Sequence, residues 1–260
     1  RPLPFPGSEL MITSDDMLSD RQLPASVIFV GGGVIALEFG HVYARTGVEV
    51  TILEALPQLL PAMDAGAVQR LQIESERIGI RFRTAADVKR IERGNRRLRV
   101  VFTHEGAEHA FEAERVVNGA GRVPNVGTLD LAAGQVTHAN GRIALDCHLR
   151  STSNPSVHVC GDAVPVSTQL SPIATYEGDI VGRNIVEGPQ YSPDYASMAT
   201  SVYAEPPLAS STLALIEDLV HALDTGEPTR GGPQISLAST ELIFALIESL
   251  NWAVAVDDAI

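Results

Sequence analysis

Cysteine is nearly absent from this 260-residue chain: only Cys147 and Cys160 occur, and they form neither a CxxC nor a CxxxxC pair. A disulfide framework and a thiolate zinc site are both excluded on that count, and reduced thiols in a cytoplasmic setting are the expectation. Aromatic residues make up 5% of the chain and tryptophan occurs once. Long apolar runs are missing too. The longest, from Val27 to Leu37, is broken by glycines and too short to cross a bilayer, so no membrane association is expected. No signal or transit pattern opens the chain, and Arg1 is not a start methionine, which leads us to expect a fragment or a processed chain. A formal charge of −13 disfavours non-specific nucleic-acid binding, and no nucleic-acid partner is expected. That charge is uneven: from Tyr191 onward ten Asp and Glu face one Arg. Such an imbalance points to two regions of different origin.

What is present begins with the stretch Val27 to Glu54. Val27-Ile28-Phe29-Val30 is a β-branched apolar run suited to a fully buried strand, followed at once by Gly31-Gly32-Gly33. A helical pattern then opens, with Ile35, Phe39 and Val42 on one face at i, i+4 and i+7, and Gly47 at its stop. A second strand, Val48 to Leu53, ends on Glu54. Strand, glycine turn, helix, strand and acid in this order are the dinucleotide-binding βαβ unit. Gly31 permits the tight turn and Gly33 lets backbone N–H groups approach a pyrophosphate at the helix N-terminus. Ala36, in the third small position, lets helix and sheet pack closely. Glu54 can accept hydrogen bonds from a ribose hydroxyl.

Around this unit the chain organises itself by composition. Residues 1–22, with three prolines in the first six, read as a linker. After a Pro57–Pro61 loop, Asp64 is placed to cap a helix running to Ile78, with Val68, Leu71, Ser75 and Ile78 inward and Gly79 closing it. A strand follows near Ile80 to Phe82. From Val88 the pattern changes to short alternating strands, Val88–Ile91, Leu98–Phe102 and Ala110–Ala113, with turns at Gly94-Asn95 and Glu105-Gly106. This predicts an antiparallel meander inserted in a parallel α/β domain. Val116-Val117 begins a further strand that runs into Gly119-Ala120-Gly121-Arg122-Val123-Pro124-Asn125.

That last string, GAGRVPN, resembles the AxGRxPN segment of the flavin-dependent pyridine nucleotide–disulfide oxidoreductases, the group of glutathione reductase, dihydrolipoamide dehydrogenase and mercuric reductase. GGGVIALEFG, with Glu38, is similar to their nicotinamide-nucleotide motif. The opening RPLPFPGSELMITSDDML resembles the segment that joins their two nucleotide domains. VHVCGDAV (157–164) resembles their second FAD motif, and LSPIATYEGDIVGRNI (170–185) the helix that closes over the flavin. The likeness runs to about Ser210.

The resemblance implies an α/β fold: a Rossmann-like NAD(P)-binding domain (23–126) carrying the meander, a partial FAD-binding domain (127–190) and the start of an interface domain (191–210); beyond it the apolar periodicity predicts a helical C-terminal tail (211–260) of different origin. It implies cofactor contacts at Gly31, Gly32, Gly33, Val34, Ile35, Glu38, Glu54, Val88 and Gly121. On the flavin side it implies Asp162, Gln169, Leu170, Ser171 and Pro172. Glu38 would help position the nicotinamide end. Hydride transfer from NAD(P)H to FAD, then to a disulfide or other small-molecule acceptor, is the implied chemistry, in a homodimer. Ala36 leans towards NADP in this family, whereas the Glu54 carboxylate would repel a 2′-phosphate, so NAD is expected over NADP.

Some family features are not found. No GxGxxG for the FAD pyrophosphate and no CxxxxC redox pair precede these motifs, so the chain alone is expected to bind FAD weakly. No catalytic and no metal-ligating residue is assigned. His221 and Glu227 have the wrong spacing for the family's His–Glu pair. Cys160 is expected to be a buried thiol. Residues 211–260, with helices around Leu213–Leu223 and Leu242–Leu250, resemble the C-terminal end of the Gfo/Idh/MocA sugar dehydrogenases. A sugar dehydrogenase of that type, or a non-catalytic nucleotide-binding fusion product, is therefore the alternative reading.

Overall fold

The computed structural model describes residues 1–166, 169–195, 198, 200–204 and 208–210. The expected tail helices and the sugar-dehydrogenase likeness lie outside the described residues. The chain divides into two units: Arg1–Arg122 with Ser201–Ser210, and the chain from Val123 to Thr200 with the tail.

In the first unit, four parallel strands form a sheet: β1 (Ser26–Val30), β2 (Glu49–Leu53), β3 (Arg81–Arg83) and β7 (Arg115–Asn118), in the order β3-β2-β1-β7. Every residue of β1 is buried, as the continuous β-branched run requires. Alternation along β1 then divides the core. Val27 and Phe29 face a cluster with Val50, Ile52, Leu37, Val68 and Leu71, on the side of helices α2 (Val34–Arg45) and α3 (Ala65–Arg77). Ile28 and Val30 face a second cluster with Val88, Ile91, Val100 and Phe102. That second layer is the antiparallel meander β4 (Asp87–Arg93), β5 (Leu98–His104) and β6 (Ala107–Ala113). Its β5–β6 turn places Glu105 and Gly106 at φ +51° and +78°, the left-handed pair that a two-residue hairpin needs. The register of β4 on β5 shifts between Val88 and Arg90.

Asp64 caps α3 as its position predicts, accepting a hydrogen bond from the Ala67 N–H at 2.9 Å. The inward stripe of α3 is Val68, Leu71 and Ser75; Ile78, expected with them, is half-exposed because the helix has already ended. The larger departure is in α2. Val42 of the expected apolar face is 60% exposed, and the face turned inward is Ala36, Leu37, Gly40 and His41. The reason is close approach. Gly40 lies within contact range of Val50 and Ile52, and Ala36 and the fully buried Leu37 share that side, so this face and not the Val42 face rests on the sheet.

Residues 1–22, expected as a linker, pack onto this unit. A 3₁₀ turn (Ser8–Leu10) and helix α1 (Ser14–Ser19), with a Thr13–Asp16 capping box, lead the chain to a parallel bridge between Ile12 and Val117 on the free edge of β7. A short pair, β10 (Thr200–Val202) and β11 (Leu208–Ser210), completes the strands of this part of the chain, and Val202 is buried in the helix-side cluster.

The second unit, where described, holds a small hairpin of β8 (His138–Ala139) and β9 (Arg142–Ile143) and the long helix α4 (Ser171–Glu187). Val136, Ile143, Leu149, Val159, Val164 and Ile180 form its core. Cys160 is exposed, not buried as expected. Its neighbour Val159 takes the inward position, and extended backbone sends the next side chain to the opposite face. Among the described residues no helix is long and apolar enough to cross a membrane.

One buried polar link joins α2 to α3. His41, 4% exposed, places Nδ1 2.8 Å from the Leu37 carbonyl and Nε2 3.1 Å from the Ser75 hydroxyl. Burial, aided by the nearby Arg45 charge, holds the imidazole below its ordinary pKa against the opposing Leu37 hydrogen bond. A histidine depressed in the folded state costs stability once the unfolded chain takes up its proton, so the loss sets in as pH falls below about 6.5. Comparing thermal midpoints from pH 8 to pH 5, the advantage of the wild type over His41→Gln should shrink with falling pH. An unchanged gap would assign the acid limb to other groups.

Candidate functional site

Two strand ends, those of β1 and of the edge strand β7, lie side by side in the sheet. β1 pairs on one side with β2 and on the other with β7, so the chain direction of travel across the sheet reverses at β1. Crevices at such reversals, beyond the carboxyl ends of parallel strands, are where α/β sheets receive ligands. Gly31 follows β1 and Gly119 follows β7. The two turns interlock backbone to backbone: the Gly119 N–H donates to the Val30 carbonyl at 2.8 Å, and a side chain at Gly31 would stand 2.6 Å from the backbone of Gly119 and Ala120. Gly31 also sits at φ +106°, closed to other residues. A side chain at Gly119 would lie 3.2 Å from Cβ of Ala36. The small residue at position 36 is thus explained by packing against the second turn.

Gly33 is the N-cap of α2, and no side chain caps the helix there. The amides of Val34, Ile35 and Ala36 in its first turn have no intrahelical acceptor by helix geometry, and the helix dipole favours negative charge at that end. Gly32 has a different task. Its N–H donates to Glu54 Oε2 at 2.6 Å, its carbonyl accepts from the Leu60 N–H at 3.2 Å, and a side chain there would strike Leu59. Glu54, 9% exposed at the end of β2, also accepts from the Leu56 N–H at 2.7 Å through Oε1. Two amides therefore fix the carboxylate, and since it offers about four acceptor sites it retains capacity for ligand hydroxyls.

These parts surround a cleft of about 770 Å³, a volume suited to a cofactor. Of the residues expected to hold cofactor, Gly31, Gly33, Glu54, Val88 and Gly121 line it; Gly32, Val34, Ile35 and Glu38 do not. Glu38, one turn further along α2, accepts a hydrogen bond from the Tyr203 N–H at 3.0 Å.

The flavin-side residues fall in the second unit and are brought together there. Gly161–Ala163 form a 3₁₀ turn with Gly161 at φ +72°. Gln169 Nε2 donates to the Asp162 carbonyl at 3.3 Å, Leu170 is the N-cap of α4, and Ser171-Pro172 open the helix. Proline is tolerated at that position because its missing N–H would have no intrahelical partner. No side chain caps this helix either. Among the described residues no group of three His, Cys, Asp or Glu could hold a metal ion.

Sequence reasoning missed Glu177. Fully buried on α4, it accepts from the Gly161 N–H at 2.5 Å and from the Tyr195 hydroxyl at 2.7 Å, tying the Gly-Asp turn to the helix. Burial and that carboxylate push the Tyr195 phenol upward. The signal was available: Ile173, Glu177, Ile180 and Asn184 make the inward stripe of α4, and a carboxylate in such a stripe needs partners.

Residues 1–178 match the profile of the pyridine nucleotide-disulphide oxidoreductases. The chain belongs to that family. A dihydrolipoyl dehydrogenase of Mycobacterium tuberculosis is 30% identical over 210 residues, 79% of this chain and 45% of that protein. A glutathione reductase of Burkholderia cepacia is 32% identical over 212 residues, 81% and 46% respectively. The HOCl-induced flavoprotein disulfide reductase RclA from Escherichia coli superposes with a TM-score of 0.68 at 26% identity, covering 80% of this chain and 47% of that one. This oxidoreductase-family chain therefore spans about half the length of these relatives.

Two outcomes follow from the packing of the family motifs here. Gly119→Ala forces a methyl within 2.9 Å of the Gly31 carbonyl oxygen and should cost about 1–3 kcal/mol in urea unfolding; an undiminished midpoint would mean the two turns are not locked. Glu177→Leu strands the Gly161 N–H and Tyr195 O–H and should cost about 2 kcal/mol or more. Glu177→Gln keeps an acceptor and should lose less, and equal losses would rule out the hydrogen bonds as the cause.

Proposed function

We propose that this chain carries the pyridine-nucleotide side of a FAD-dependent NAD(P)H oxidoreductase. The observation that supports it is the meeting, in one cleft at the sheet's reversal point, of an uncapped helix N-terminus and a fixed carboxylate. The residues present fit a dinucleotide. The Val34 and Ile35 amides at the start of α2 would hold the pyrophosphate, with Gly33 leaving the approach open. Glu54 would accept from the hydroxyls of the adenosine ribose. Gly31, Gly121 and Val88 would shape the cleft around them, and Gly32 acts indirectly by holding Glu54. Glu38 would face the nicotinamide end, its carboxylate already oriented by the Tyr203 amide.

On this reading residues 23–126 are the NAD(P)-binding domain, 127–190 contribute part of a FAD-binding domain, and 191–210 open an interface domain. Asp162 would serve the flavin's ribityl chain and Gln169 to Pro172 its ring. When bound, NADH supplies a hydride and FAD takes it up. The chain's own contribution is binding and orientation. The electron acceptor would be a disulfide or another small molecule, and the working form a cytoplasmic homodimer, as the family resemblance suggests.

NAD(H) is the preferred coenzyme in this reading. A 2′-phosphate would set a second negative charge beside the Glu54 carboxylate, which two backbone amides prevent from turning away. Titration of the purified chain should give tighter binding of NADH than of NADPH. Glu54→Gln should weaken NADH about tenfold, the size of one hydrogen bond to a charged group, and should narrow the preference. Tighter binding of NADPH by the wild type, or no binding of either coenzyme, would overturn the proposal.

A further inference from the structure

The cleft has a wall that the dinucleotide motif does not supply. Leu3, Pro4, Phe5 and Pro6 line it together with the glycine turn and Glu54. This segment is held in place. The Ile91 N–H of β4 donates to the Pro6 carbonyl at 2.9 Å, and the Ser8 N–H closes a turn onto the Phe5 carbonyl at 3.2 Å. Gly7 sits at φ +82° so close to β4 that any side chain would collide with the Ile91 carbonyl oxygen. Only glycine brings the segment this near. Leu3 and Phe5 then pack, partly buried, on the cluster that contains Leu53, Ala86 and Val88.

Strand order says what this wall would meet. From β1 the sheet steps to β2 and then to β3, each about 5 Å further on. The helix N-terminus lies beyond the end of β1, and Glu54 beyond the end of β2. Ala86 and Val88 line the cleft from the chain that leaves β3. A dinucleotide with its pyrophosphate at the first place and its adenosine ribose at the second has its purine at the third. There Ala86 and Val88 are apolar, and the charged Asp87 and Lys89 pair with each other, while Arg1 lines the cleft beyond β7, its carbonyl accepting from Asn118 Nδ2 at 2.7 Å.

We propose that the Leu3–Pro6 segment is the wall against which the adenine ring is held, with Phe5 as a specificity-determining residue for a planar base. The inference rests on the reading of the cleft as a pyridine-nucleotide site. The test is NADH titration of the full chain as wild type, Phe5→Leu, Phe5→Ala and Gly7→Ala, with competition by AMP and by nicotinamide mononucleotide. Near-UV circular dichroism reports folding. Phe5→Leu keeps an apolar side chain but loses the ring, so it remains informative if the other variants do not fold.

Phe5→Ala should weaken NADH and AMP alike, by about tenfold, the range of a base on an aromatic ring. Phe5→Leu should do so several-fold, and a folded Gly7→Ala should follow them although it alters no cleft residue. Nicotinamide mononucleotide should be unaffected. NADH binding that is equal in the wild type and the Phe5 variants overturns the wall alone. A loss confined to nicotinamide mononucleotide also overturns it, by placing the other end of the dinucleotide there. A wild type that binds neither NADH nor AMP overturns the reading of the cleft itself.

Discussion

The rest of the first unit depends on the contact between two glycine turns, each at the end of a parallel strand. Where Gly31 and Gly119 meet, main chain lies on main chain with no room for a methyl group. That contact sets the spacing of β1 and β7 at their carboxyl ends, and so the width of the crevice. It also dictates the helix above. Ala36 lies against Gly119, and Gly40 lies on Val50 and Ile52, so α2 descends until its N-terminus stands at the mouth of the cleft. A helix N-terminus favours an anion only at short range, because the amide dipoles lose their hold within a turn of the helix end.

From that centre the structure separates two kinds of glycine that the motif alone treats as one. Gly33 leaves a surface open. Gly32 closes one, by committing its amide to Glu54 and its carbonyl to Leu60. The acid at the end of β2 is thereby an internal strut as well as a group that faces the cleft. In the second unit Glu177 plays a comparable internal part, a buried carboxylate that holds a glycine turn at the head of a helix.

Much of this was legible in the residues. The strand–glycine–helix–strand unit, the Asp64 cap, the Glu105-Gly106 hairpin and the meander follow from local chemistry, since each depends on neighbours within a few positions. The parts that were misread depend on distant neighbours. The apolar face of α2 was assigned by the spacing of Ile35, Phe39 and Val42, whereas the side packed on the sheet carries Ala36, Leu37, Gly40 and His41. Cys160 was read as buried because the family has a small residue at that position, whereas the core with Val164 and Ile180 takes in Val159 and leaves Cys160 exposed. Residues 1–22 look like a tether because prolines and polar turns dominate, yet Gly7 and Ile12 dock them on β4 and β7 through backbone contacts, which leave no trace in side-chain composition. Glu177 needed the pattern of the whole helix to be seen as buried.

The strut formed by Glu54 also anchors the loop beside it. The loop that follows β2 is tied to the glycine turn twice, through the Glu54 carboxylate and through the Leu60 amide, with Leu59 wedged against Gly32. Exchanging this acid would remove the first of these ties and leave the second, a backbone bond that no side chain at position 54 alters. On the proposed reading of the cleft, the residue that meets the ribose is thus also one of two anchors of the loop beside it.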